Sequence, residues 1–124
     1  GAQAAGLPPR PRTLIHGDFH HDQVWIDEGR VVLFDFDEFA LGDPLEDVAA
    51  FVTRLDDVDH GRAFVTAFMA QAGFDMQALE WHLALQALLQ ASRAFVFQRP
   101  GWRPELECWL ARAEAHVAQE PSFA

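Results

Sequence analysis

Between Thr13 and Phe34 the chain alternates short apolar runs with polar turns, and after residue 43 it changes to a helical repeat. Two apolar runs, Thr13–His16 and Gln23–Ile26, bracket a polar loop, and a third, Arg30–Phe34, follows the turn Asp27-Glu28-Gly29-Arg30. Two such runs joined through a short glycine-containing turn predict a β-hairpin. Strand ends that feed polar loops hold side chains rigidly, so Asp18 and Asp35 are expected to emerge at one edge.

Beyond Asp43 the apolar period becomes about 3.6. Asp43 suits an N-cap and Pro44 the first helical position, and Leu45, Val48, Ala49, Val52 and Leu55 then fall on one face, which predicts a helix from Pro44 to Leu55. A second helix is expected over Gly61–Ala72, ending at Gly73. A third, capped by Asp75, runs to Phe97 and is stopped by Pro100 and Gly101. The fourth is expected from Pro104 to Ala118 with Leu106, Trp109, Leu110 and Ala113 inward. Residues 1–12 are rich in Ala, Gly and Pro and read as a flexible tail or linker.

Composition narrows the class. A length of 124 residues is that of one domain, long enough to bury roughly two thirds of its unfolded surface. Half of the residues are hydrophobic and eleven are Phe, which excludes a disordered chain. A net charge of −10 disfavours nucleic acid and anionic membrane as partners and is compatible with a cationic substrate. The longest apolar stretch, near Leu83 to Leu89, is interrupted by Gln86 and too short to span a bilayer. Cys108 stands alone, so no intrachain disulfide forms, and the N-terminus lacks the apolar core of a secretory leader; the expected compartment is cytoplasmic.

The candidate chemistry lies in the first half. Asp18 is followed by four residues and then the amide Gln23, the spacing of a kinase catalytic loop, in which the aspartate takes or orients the substrate hydroxyl proton and the amide oxygen holds a metal. Twelve residues after Gln23 comes Asp35, followed by Phe36, where such enzymes put the carboxylate that holds Mg²⁺ on the nucleotide phosphates. Magnesium takes one or two carboxylates with phosphate oxygens and water, so Asp35 and Gln23 suffice as the protein's share.

Together, HGDFHHDQV and LFDFDEFALGDPLEDVA resemble the aminoglycoside phosphotransferase and choline kinase type of small-molecule kinase, which has a protein-kinase-like fold. The resemblance covers residues 13–51 by motif and the helical remainder by pattern. It implies that Asp18 is the catalytic aspartate and Asp35 the metal-binding one, with His16, Asp43 and Asp47 bracing the loop. It implies Mg²⁺ and ATP, or another nucleoside triphosphate, as cofactors and a small-molecule hydroxyl as substrate. Two positions depart from the pattern. Gln23 stands where the family usually has asparagine, one methylene shorter, and Asp37 stands where protein kinases have glycine. His20 and Asp37 are candidate contacts to substrate or metal.

The architecture expected is α+β and mostly helical: a small β-hairpin and catalytic loop over residues 13–43, packed on about four helices over residues 44–119, like the later part of a kinase C-terminal lobe. A kinase site also needs an upper lobe whose lysine grips the phosphates, and no residue of this chain is lysine. Activity is therefore expected only with an N-terminal lobe that these residues do not include, supplied by a separate polypeptide, or else the chain forms a homo-oligomer. The first alternative is a catalytically silent binding or assembly module. The second is a metal-dependent hydrolase in which His16, Asp18, His20, His21 and Asp22 bind zinc. His60, His82 and His116 show no ligand spacing and read as surface or satisfied core histidines, and Trp81, Phe95, Phe97, Trp102 and Trp109 as core before pocket.

Overall fold

The computed structural model describes residues 12–73 and 75–118, which form two compact units divided after Gly73. The expected tail, apart from Arg12, lies outside the described residues.

The first unit contains β1 (Thr13–Ile15), a single 3-10 turn (His21–Gln23), β2 (Val24–Asp27), β3 (Arg30–Leu33), β4 (Ala40–Gly42), α1 (Pro44–Thr53) and α2 (Val58–Ala72). β2 and β3 form the expected antiparallel hairpin, with Val24 opposite Leu33 and Asp27 opposite Arg30. Its two-residue loop has positive φ at both Glu28 (48°) and Gly29 (76°), as the right-handed strand twist demands of a tight hairpin; glycine meets that demand without strain.

The strand β4 lies outside the sequence expectation. It pairs antiparallel with β1, Thr13 opposite Gly42 and Ile15 opposite Ala40. This ladder closes the segment from His16 to Phe39 at its base, so the loop after β1 and the loop before β4 leave from the same end of the ribbon. That is what brings Asp18 and Asp35 to one edge.

Asp43 caps α1 by accepting the Leu45 N–H at 2.9 Å, with Pro44 at the first helical position, as the pattern required. α2 begins at Val58, three residues before the expected start, because Asp57 accepts the N–H groups of Asp59 (2.8 Å) and His60 (3.2 Å) and nucleates the first turn. α1 packs on β1 and on α2. Ile15, Leu45, Val48, Ala49, Val52 and Val65 are buried, and the rings of Phe19, Phe51 and Phe64 stack in series at 4.7 and 4.6 Å between centroids.

The second unit is a helical hairpin of α3 (Met76–Phe97), capped by Asp75 as expected, and α4 (Trp102–Val117). The two helices pack antiparallel through small side chains: Ala78, Ala84, Ala87, Ala91 and Ala94 of α3 are buried along with Leu79 and Leu83, and Ala113 is buried on α4. Alanines allow the two backbones to approach closely. Leu110, expected inward, is exposed; the seam instead takes His116, whose Nδ1 lies 2.5 Å from Glu80 Oε2 in a fully buried pair. No helix among the described residues is long and apolar enough to cross a membrane.

Candidate active site

Every candidate site residue singled out in the sequence lies in the first unit, on or beside the two polar loops or in the first turn of α1. The loop after β1 is held from below by α1. Asp47, in the helix's first turn, accepts the His16 N–H through Oδ2 at 2.8 Å and the Gly17 N–H through Oδ1 at 3.1 Å. A carboxylate receiving two backbone donors makes charge-assisted bonds, roughly twice as strong as neutral ones. Gly17 has φ of 89°, and a Cβ there would sit 2.1 Å from the Glu38 carbonyl oxygen, so the position admits glycine only. Loop after β1 and loop before β4 touch at that point.

His16 performs a second bracing task with its ring. Nε2 lies 2.6 Å from the Phe34 carbonyl, which only accepts, so Nε2 carries the proton. Nδ1 is then the acceptor, and it receives the Asp18 N–H at 3.2 Å. One neutral imidazole thus ties the residue before Asp35 to the backbone of Asp18. Phe36 closes over the same ring at 4.9 Å between centroids.

The carboxylates and amide form a connected line. Asp18 Oδ2 lies 3.6 Å from His20 Nε2; that nitrogen accepts from Gln23 Nε2 at 3.3 Å; and Gln23 Nε2 also donates to Asp35 Oδ2 at 3.1 Å. Since Nε2 of His20 accepts, its proton sits on Nδ1, which is buried without a hydrogen-bond partner among the described residues and 3.8 Å from Asp22 Oδ2. His20 is only 7% exposed, and burial first, then the Arg54 cation, lowers its pKa against the opposing pull of Asp18 and Asp22. Asp35 itself is held at φ of 59°, a conformation that a non-glycine residue adopts at a cost of about 1–3 kcal/mol and that collects at functional sites.

A family model described as the phosphotransferase enzyme family matches residues 2–82. The chain belongs to that family. Its fold is that of solved aminoglycoside phosphotransferases: the apo form of a thermostable mutant of APH(4)-Ia superposes with a TM-score of 0.67 at 23% identity, over 90% of this chain and 38% of that one. A second structure of that enzyme, a ternary complex with AMP-PNP and hygromycin B, gives 0.64 at 24% identity, over 89% and 37%. The chain therefore spans somewhat over a third of the length of these relatives. No curated protein matches it.

Within the first unit the predicted residues separate by what they touch. Asp18, His20, Gln23 and Asp35 form the connected line, and His16 and Asp47 hold the loop under it. Asp43 bonds the N-terminus of its own helix. Asp37 is exposed in the loop before β4. Gln23 and Asp35 converge within hydrogen-bonding range, Gln23 Nε2 donating to Asp35 Oδ2, and offer an amide and a carboxylate, whose oxygens are the hard donors that Mg²⁺ prefers. The zinc arrangement does not form: among the described residues no three His, Cys, Asp or Glu side chains converge on a metal, and both ring nitrogens of His16 are engaged.

Two features went unread in the sequence. Arg54, at the C-cap of α1, places Nη1 3.7 Å from Asp18 Oδ1. Behind the loop lies an apolar cavity of about 300 Å³, lined among others by Leu14, Phe19, Phe36, Val48 and Phe64.

Proposed function

We propose that the chain is the catalytic part of an ATP-dependent phosphotransferase acting on a hydroxyl of a small molecule. The observation that carries this reading is the line from Asp18 through His20 and Gln23 to Asp35, mounted on a loop fixed by Asp47 and His16. Such a line sets a carboxylate able to accept a proton beside a pair of donors suited to a phosphate-bound cation. Membership of the phosphotransferase family supports it, and the related structure with AMP-PNP and hygromycin B supports a nucleotide and a small hydroxylated acceptor.

In the reaction the acceptor hydroxyl oxygen bonds to the γ-phosphorus while the bond from that phosphorus to the bridging oxygen breaks and the nucleoside diphosphate leaves. Asp18 orients the hydroxyl and receives its proton. Asp35 and Gln23 would hold Mg²⁺, which when bound neutralises charge on the phosphates. To do so Gln23 turns its amide oxygen inward, and its extra methylene relative to asparagine is taken up by rotamer choice. His16, Asp43 and Asp47 keep the loop in register, and Asp37 and His20 stand as further contacts to acceptor or metal.

The upper lobe that grips the nucleotide is, in this reading, not among the 124 residues. Ile26 is 79% and Trp25 63% exposed on the hairpin, apolar surface that such a lobe would cover. The same surface, with the absence of lysine, favours the second reading, a silent assembly module. Transfer of labelled γ-phosphate to aminoglycoside, choline-like, sugar and amino-alcohol acceptors separates the two. With the lobe in place, Asp18→Asn should lower turnover by about 10²-fold or more with nucleotide affinity nearly unchanged. Asp35→Asn should weaken Mg-nucleotide binding as well; Gln23→Asn should be tolerated structurally and shift the magnesium dependence, whereas Gln23→Leu should abolish the second metal contact. Near-normal turnover in Asp18→Asn removes Asp18 from the chemistry. Calorimetry on the chain by itself should detect little Mg-ATP binding, and sedimentation should find it associated; a micromolar monomer that binds Mg-ATP tightly overturns the proposed division of labour.

A further inference from the structure

α1 meets the loop after β1 at three points. Asp47 accepts the His16 and Gly17 N–H groups, Phe51 stacks on Phe19 at 4.7 Å and 24° between ring planes, and Arg54 sets its guanidinium 3.7 Å from Asp18 Oδ1. At about 100° per residue, four residues carry a side chain about 40° past one full turn, and seven bring it to about 20° short of two. Asp47, Phe51 and Arg54 therefore form one stripe of the helix. Gly17, Asp18 and Phe19, three consecutive loop residues, are each met by one member of that stripe.

We infer that Arg54 is a positioning residue for Asp18, the end of a helical ruler that begins at Asp47; this rests on the reading of Asp18 as the proton acceptor. The guanidinium draws Oδ1 toward the helix. Oδ2 is left facing His20 Nε2, which accepts from Gln23 and so donates nothing to it. Oδ2 thereby keeps its lone pairs for an incoming hydroxyl. A freely solvated surface pair would be worth little and would fix nothing. Here the cation issues from a residue whose backbone N–H is bonded to the Val52 carbonyl, and the carboxylate from one whose N–H is bonded to His16, so both ends of the pair are anchored.

Two measurements decide it. In the phosphotransferase with its nucleotide-gripping lobe in place, Arg54→Ala should lower kcat between about 10-fold and about 10²-fold with KM for nucleotide nearly unchanged, the cost of a misplaced catalytic group. Arg54→Lys should recover part of the loss, and millimolar guanidinium added to Arg54→Ala should recover part of it too. In the 124-residue chain itself, ¹⁵N spectra should show the Arg54 guanidinium signal move on Asp18→Asn while the other arginine signals stay. An active wild type with unchanged kcat in Arg54→Ala overturns the inference, as does an Arg54 signal indifferent to Asp18→Asn. An inactive wild type whose Arg54 signal does respond overturns the reaction and leaves the pairing standing.

Discussion

The two units of the chain solve opposite problems. Residues 12–73 devote their hydrogen bonds to fixing loops, with Asp47 on two amides, His16 between Phe34 and Asp18, and Gln23 on Asp35, while leaving Trp25, Ile26 and Val31 on the hairpin exposed. Residues 75–118 carry no residue of the candidate site and pack two long helices through alanines, two leucines and one buried acid–imidazole pair. Stability in the second comes from burial; in the first much of the order is polar and the apolar surface is unfinished. The contrast teaches that a loop can be held to catalytic tolerance by a few bonds from one short helix, provided that helix is itself capped and packed.

The largest expected effect breaks the contrast on the burial side. Leu79 is fully buried, so Leu79→Ala should cost about 2–5 kcal/mol in thermal or urea unfolding, whereas Ile26→Thr should change stability by less than about 0.5 kcal/mol. Equal losses for the two would show that the hairpin is already covered. Next comes the polar side: Gly17→Ala combines a positive φ with a Cβ 2.1 Å from the Glu38 carbonyl oxygen, and should cost about 1–3 kcal/mol or more while leaving the second unit's helix content intact by circular dichroism. Ordinary stability in that variant means that the two loops do not touch there.

The smallest effect concerns acid. The backbone N–H groups of His60 and Asp59 hold the Asp57 carboxyl below its ordinary value of 3.8. A carboxyl lowered in the folded chain contributes stability above that ordinary value, and the contribution fades as pH falls through the lowered one. Asp57→Asn keeps the capping oxygen and removes the titration, so it should flatten the loss of helicity on the acid side of about pH 4. An acid melt that is identical in both would assign the cap no part in it.

Much of this was legible in the chain. The caps Asp43 and Asp75 and the hairpin turn are local signals, and they set element boundaries closely. The start of α2 was obscured because four of the residues 56–60 are polar and Asp57 is one of three aspartates there. β4 gave no signal of its own, since three residues ending in glycine become a strand only by pairing with β1 some 27 positions earlier. Spacing singled out Asp18, Gln23 and Asp35 as candidates, but the place of His20 between Asp18 and Gln23, the tautomers and the amide's direction needed coordinates. Arg54 lies 36 residues beyond Asp18, and the one trace of it in the sequence is its helical phase with Asp47. The alanine seam went unread because hydropathy favours leucine, while close helix approach favours small side chains.

The ruler on α1 has a consequence for length variation. A residue inserted or deleted between Asp47 and Arg54 would rotate everything after it by about 100°, turning Arg54 and whichever half of the stripe lies beyond away from the loop at once. Substitutions on the helix's other faces leave the register intact. Natural or engineered versions of this unit should therefore tolerate insertions in the Arg54–Asp57 connection and in the hairpin turn, and refuse them within the two turns that separate an aspartate from an arginine.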